Sequence, residues 1–115
     1  MQRIVLNLSL LKVMLEEAGV DMIYPFTRQT LDVKNSIHAR GFAPFVGIPE
    51  DPATGSVAGA LGYYLNDKNP MEENVIIEQG YEMNRPGLIF VTVDGTTIRV
   101  GGKARMVFKG SLYLE

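Results

Sequence analysis

The stretch GIPEDPATGSVAGALGYYL, Gly47 to Leu65, decides how the rest of the chain is read. Pro49 and Pro52 bracket the adjacent carboxylates Glu50 and Asp51, and Thr54, Gly55 and Ser56 follow directly. From there small and apolar residues predict a helix with almost no polar face. Gly55, Gly59 and Gly62 fall at i, i+4 and i+7 on one side. Each costs about 1 kcal/mol relative to alanine inside a helix, a cost tolerated where another backbone or a ligand must approach closely. Val57, Leu61, Tyr64 and Leu65 cover the opposite side, so the helix is expected to be enclosed all round.

Two readings of the helix mouth stand side by side. In the first, Asp51 is the N-cap and Pro52 the first helical residue, and Glu50 is an exposed neighbour. In the second, the N–H groups of Thr54, Gly55 and Ser56 form a cradle for an anionic group such as a carboxylate. Ser56 then adds a hydroxyl donor, and Asp51 an acceptor able to carry a proton. The helix dipole that favours a bound anion also favours ionised Asp51, which suits it to orienting or accepting a proton rather than donating one. Adjacent extended residues point in opposite directions, so only one of Glu50 and Asp51 can face a given cleft.

Outward from this stretch, the chain of 115 residues reads as one domain, 1–115, long enough to bury roughly two-thirds of its unfolded surface. Its apolar fraction is 46% and its charged fraction 21%, ordinary values for a globular protein. A net charge of −2 with no run of like charges gives no footprint for nucleic acid or an anionic membrane. Lys103, Arg105 and Lys109 alternate with Ala104, Met106 and Phe108, the pattern of a solvated strand face. The absence of cysteine excludes disulfides and thiol chemistry, and with His38 as the single histidine no His-rich metal site forms within one chain. No cationic leader with a small-residue cleavage site and no membrane-length apolar run is present, so a cytoplasmic protein is the expectation.

Leu8, Leu11, Val13, Met14, Leu15 and Ala18 recur at helical spacing, with Asn7 or Ser9 as N-cap and Gly19 as the stop. Met22, Tyr24 and Phe26 suggest a strand cut short by Pro25, and TLDVKNSIHARGFAP a second, irregular extended segment. NVIIEQG reads as a strand. LIFVTVDGTTIRVGG reads as a hairpin turning at Asp94-Gly95 in a type I′ turn, with KARMVFKG and SLYLE as further strands. The fold class is α+β: a curved, mostly antiparallel sheet around one apolar helix, with a second, amphipathic helix.

The opening stretch closely resembles the signature of the phenazine-biosynthesis (PhzF-like) isomerase family, whose fold is that of diaminopimelate epimerase. The flanking segments YPFTRQTLD, ARGFAP, IIEQGYEMNRPGLIFV and IRVGGKARMVFKGSL are similar to the family's in the same order. The resemblance implies two similar halves with an active site in the cleft between them, of which this chain corresponds to the second, C-terminal half. It implies that Asp51 and Ser56 line that cleft as catalytic residues, with Glu50 as an alternative. Thr54, Gly55 and Ser56 would hold a substrate carboxylate. The implied chemistry is a proton-transfer isomerisation without metal or organic cofactor. The family's main acid/base is a glutamate of an NLSE-like motif in the first half. NLSL at Asn7 to Leu10 is a coincidental likeness, with Leu10 where the glutamate would be and the following helix running directly into YPFT, a landmark of the second half; His38, in IHARGFAP, is not the histidine of the family's GHP motif. A structural or subsite role is expected for His38. Asn84 and Gly87 depart from the residues usual in the family. A working cleft then needs a homodimer or a complementary half-chain; without either, the chain is a silent carboxylate-binding remnant.

Overall fold

The computed structural model describes residues 1–114. Helix α1 (Leu8–Ala18) starts where Asn7 Oδ1 accepts from the Leu10 N–H at 3.1 Å. It ends in a Schellman motif: Gly19 takes φ 65°, its N–H donates to the Glu16 carbonyl, and the Val20 N–H donates to the Leu15 carbonyl. Both ends were legible from the sequence. The apolar stripe is covered only at Leu11 and Leu15, whereas Leu8, Val13 and Met14 are about half exposed.

Strands β1 (Phe26–Thr27), β2 (Ile37–Ala39), β5 (Asn74–Gln79), β6 (Gly87–Asp94) and β7 (Thr97–Gly102) form one sheet in the order β1-β2-β5-β6-β7. Strands β3 (Gly41–Ala43) and β4 (Ile48–Asp51) form a separate antiparallel pair in which Gly41 opposes Asp51. Every pairing in the large sheet is antiparallel except β2 with β5. A parallel pair needs a long crossover, and here the connection carries α2 (Gly55–Lys68). The core lies between α2 and the sheet: Ala58, Leu61 and Leu65 meet Ile37, Ala39, Val75, Ile77, Ile89, Val91 and Val93. No helix among the described residues is long and apolar enough to cross a membrane.

Three expectations change. The first concerns α2, which is covered on one side only: Ser56, Ala60, Tyr63 and Tyr64 are exposed. On its glycine face, Gly59 and Gly62 make room for the sheet. A Cβ at Gly59 would lie 3.0 Å from Val100 Cγ2, and one at Gly62 would lie 2.4 Å from Val91 Cγ1. Gly62→Ala gains about 1 kcal/mol of helix propensity but overpacks a buried contact, which costs about 1–3 kcal/mol. Thermal melts are expected to show a net loss in Tm; a rise would contradict this packing.

The second is the hairpin turn. Asp94 opposes Thr97, so the two-residue loop is Gly95-Thr96, and only Gly95 has positive φ (58°). That is the type II′ sign pattern, with glycine first, rather than type I′. The third is the C-terminal segment. Residues 103–114 form no strand, and Met106, Val107, Phe108, Leu112, Tyr113 and Leu114 are each 80–88% exposed. Alternation alone does not make a strand; its N–H and C=O groups need a ladder partner, and among the described residues this segment has none. Glu115, at the end of the expected last strand, lies outside the described residues.

Candidate functional site

The capping reading of the sequence starts α2 three residues too early. The N-cap is Thr54, not Asp51. Asp51 closes β4, and its Oδ1 accepts from the Ala53 N–H at 3.3 Å while its Oδ2 accepts from the Thr54 hydroxyl at 2.8 Å. Pro52 then lies in the link between strand and helix, outside the helix. The Thr54 hydroxyl donates to Asp51 and its oxygen accepts from Gln79 Nε2 rather than from a helix N–H, so it makes no capping bond, and the first-turn N–H groups of Gly55, Ser56 and Val57 have no intrahelical acceptor.

Behind this turn sits Gln79, a fully buried residue whose place in the site the sequence reading missed. Its Oε1 accepts from the Tyr24 hydroxyl at 2.6 Å and from the Thr54 N–H at 3.2 Å. Its Nε2 donates to the Asp51 carbonyl at 2.7 Å and to Thr54 Oγ1 at 2.9 Å. A primary amide offers two donors and one two-lone-pair acceptor, and all are used. Burial pushes the Tyr24 phenol well above its ordinary value, and the nearby Asp51 charge adds to this. Tyr24 is thus held neutral as the donor that orients Gln79. Gly41 makes room for the assembly: a Cβ there would lie 2.8 Å from Thr54 Oγ1.

The two adjacent carboxylates are separated by their pairing. Glu50 is engaged by Arg40, which donates from Nε to Oε1 at 2.8 Å and from Nη2 to Oε2 at 2.9 Å. This fork raises the Arg40 value, with hydrogen bonding to Glu50 the main cause. Asp51 is left at the helix mouth beside Thr54. Ser56 is exposed and Gly55 half-buried in the first turn. A cavity of about 630 Å³ opens beside that turn, lined by Ala53, Gly55, Tyr81, Gly87, Val100 and Lys103 among others. Of the residues expected to be catalytic or to hold substrate, Gly55 lines it, and Glu50, Asp51, Thr54 and Ser56 do not. Lys103, read in the sequence as part of a solvated face, brings a cation to the same wall.

His38 lies on the other face of the sheet from the α2 core. It opposes Glu78 in the β2–β5 register, while its neighbours Ile37 and Ala39 are core residues. His38 Nδ1 is 2.7 Å from Glu78 Oε1, and Nε2 is 2.8 Å from Glu82 Oε1. Burial pushes the Glu78 carboxyl up, but hydrogen bonds from the Leu31 N–H, Asn35, His38 and the Asp32 N–H outweigh it and hold the group below the ordinary range. Glu82 follows the same balance, with burial opposed chiefly by His38. For groups depressed in the folded state, the stabilisation is complete above the ordinary carboxylate value of about 4.3. It is lost as the pH falls through the depressed folded values. Tm is therefore expected to drop increasingly steeply as the pH falls below about 4, and less steeply in Glu78→Gln; parallel profiles for the two would contradict this assignment.

Three comparisons bear on this arrangement. The family model described as phenazine biosynthesis-like protein matches residues 2–110. An uncharacterised isomerase of Clostridium acetobutylicum is 38% identical over 102 residues, covering 80% of this chain and 34% of that protein. The trans-2,3-dihydro-3-hydroxyanthranilate isomerase of Pseudomonas chlororaphis is 35% identical over 83 residues, covering 66% of this chain and 30% of that protein. Among solved structures, a Bacillus anthracis phenazine biosynthesis protein of the PhzF family superposes with a TM-score of 0.68 at 27% identity, over 86% of this chain and 36% of that one. The chain thus spans about a third of the length of the relatives it matches. A match across nearly all of its residues, in sequence and in the diaminopimelate epimerase-like fold, makes this chain a member of the phenazine biosynthesis-like (PhzC-PhzF) family.

Proposed function

We propose that this chain is one half of a cofactor-independent isomerase of the cytoplasm. It would hold a small carboxylate-bearing substrate on the first turn of α2 and move a proton at a neighbouring carbon. The observation that carries this reading is the Asp51–Thr54–Gln79 network. It commits the Thr54 hydroxyl to Asp51, leaves the Gly55 and Ser56 N–H groups free of intrahelical acceptors, and fixes one carboxylate beside them. The helix terminus stabilises the substrate anion, Ser56 donates to it, and Asp51 orients or accepts the moving proton. The names of relatives such as the hydroxyanthranilate isomerase favour the same class of chemistry.

The cleft needs a second wall. A homodimer would face two EDPATGS turns across it, and like carboxylates so placed would drive their titrations apart, giving an acid and a base from identical residues. A separate chain carrying the first half would serve equally. The exposed apolar residues of 103–114 and of α1 favour a partner of one kind or the other.

The test is proton exchange in D2O on cyclic and amino carboxylates, run beside the native mass of the same sample. Deuterium at a carbon next to the carboxylate, from a dimer or from a two-chain complex, is the expected result. A monomer without exchange, unaltered by any added half-chain, would leave the carboxylate-binding remnant.

A further inference from the structure

Strand β7 is an edge of the large sheet: it pairs with β6 on one side, and among the described residues nothing pairs with its outer side. An edge presents a row of free N–H and C=O groups, which proteins blunt with proline, charge or brevity. The opposite edge, β1, is blunted: it is two residues long and follows Pro25. β7 is not. Its six residues, TIRVGG, contain no proline and a single charge, Arg99, and all six are exposed. On the side facing α2 it carries Ile98 and Val100, 41% and 45% exposed, which meet the helix at Gly59. At about 100° per residue, Ser56 and Tyr63 lie next to that glycine stripe, and both are exposed.

The same chain carries a segment that fits this edge. Residues 103–114 follow β7 directly and join no strand among the described residues. Apart from Gly110, the even positions are apolar: Ala104, Met106, Phe108, Leu112 and Leu114. The cations Lys103, Arg105 and Lys109 all fall on odd positions. An antiparallel register that sets even against even lays the apolar side over Ile98 and Val100 and turns the cations to the other face. We infer that this arm adds as a strand to the outer edge of β7 in a second copy of the chain, each copy giving its arm and receiving the other's. The inference rests on the two-copy form of the function proposed above and names the surface that joins the copies. A second copy is the occupant because arm and open edge are consecutive in one chain, so a two-fold axis satisfies both at once and closes the assembly at two. Met106, Phe108, Leu112 and Leu114 are 80–87% exposed. Phe108 alone brings about 150 Å² or more. Two reciprocal arms with their ladders approach the roughly 800 Å² per partner of a stable interface. The seated arm also passes beside the first turn of α2, giving the site near Ser56 a wall from the partner.

The test uses the full chain, with proline placed in the arm. Residues 103–114 make no backbone hydrogen bond within the described chain, so proline there leaves the monomer's own ladders intact. Successive N–H groups of a strand point to opposite sides, so at least one of Met106→Pro and Val107→Pro removes a donor from the joined ladder. Phe108→Asp puts a charge on the apolar side. Native mass and amide hydrogen exchange are measured together. The wild type is expected to be a dimer in which the outward amides of Thr97 to Gly102 exchange slowly. Phe108→Asp and at least one proline variant should raise the dimer Kd by about tenfold or more and free those amides, with α2 and β6 signals unmoved. A monomeric wild type, an assembly larger than two, or a dimer undiminished in all three variants would each overturn the inference. A dimer indifferent to these variants that still exchanges substrate deuterium leaves the isomerase reading standing. An arm-dependent dimer without exchange overturns that reading and leaves the inference.

Discussion

Asp51→Asn is expected to lower the proton-exchange rate by about 10²–10⁴-fold, the usual contribution of a positioned acid/base group, while the fold survives. The asymmetry follows from the two oxygens. Oδ1 accepts from the Ala53 N–H and Oδ2 from the Thr54 hydroxyl. Asparagine keeps an oxygen for the first contact and presents an NH₂ to the second. Thr54 Oγ1 can accept from it, but its own proton then has no acceptor there. One hydrogen bond is lost, about 1 kcal/mol, and Tm should fall by only a few degrees. Rate measured by deuterium uptake and Tm measured on the same preparation separate the two effects. Equal rates for Asp51→Asn and wild type would remove Asp51 from the chemistry. A collapse of Tm would show that its role is mainly to hold the turn.

His38→Ala should lose about 3–5 kcal/mol of stability, the cost of removing one partner from a buried charged set. The His38 side chain is 4% exposed and separates two carboxylates whose side chains are 0% and 10% exposed. Without it Glu78 and Glu82 lose their shared partner and face an empty space of like charge. Urea unfolding checks the magnitude. His38→Gln can still donate to one carboxylate and should recover part of the loss. A His38→Ala variant within about 0.5 kcal/mol of wild type, the range of ordinary surface substitutions, would mean that the cluster does not anchor this face of the sheet.

The parts of this molecule legible in its sequence are those governed by local chemistry. Asn7 and Gly19 delimit α1 because cap geometry depends on a few adjacent residues. The alternation of β6 and β7 around Gly95 set the hairpin, although the position and type of its turn depended on one residue of register. The EDPATGS stretch gave the start of α2 to within a turn. It could not show that Thr54, rather than Asp51, is the cap, because that choice is made by Gln79, 25 residues away. Gln79 and Glu78 look like the polar end of a short strand; their burial arises from the β2–β5 pairing and from the segment around Leu31 to Asn35 that covers it. Arg40 was hidden in the same way, its partner Glu50 lying across the β3–β4 pair. The segment 103–114 carries the alternation of strands without a ladder to join, a property of what is beside it rather than of its own residues.

The central claim is that the first turn of α2 receives a carboxylate beside Asp51. Backbone ¹H–¹⁵N spectra during titration with benzoate, a small carboxylate, test it most directly. The account predicts saturable shifts concentrated at Gly55, Ser56 and Val57, with the His38 region unmoved and the response lost when the carboxylate is replaced by its amide. Shifts absent, spread evenly over the surface, or retained with the amide would contradict it.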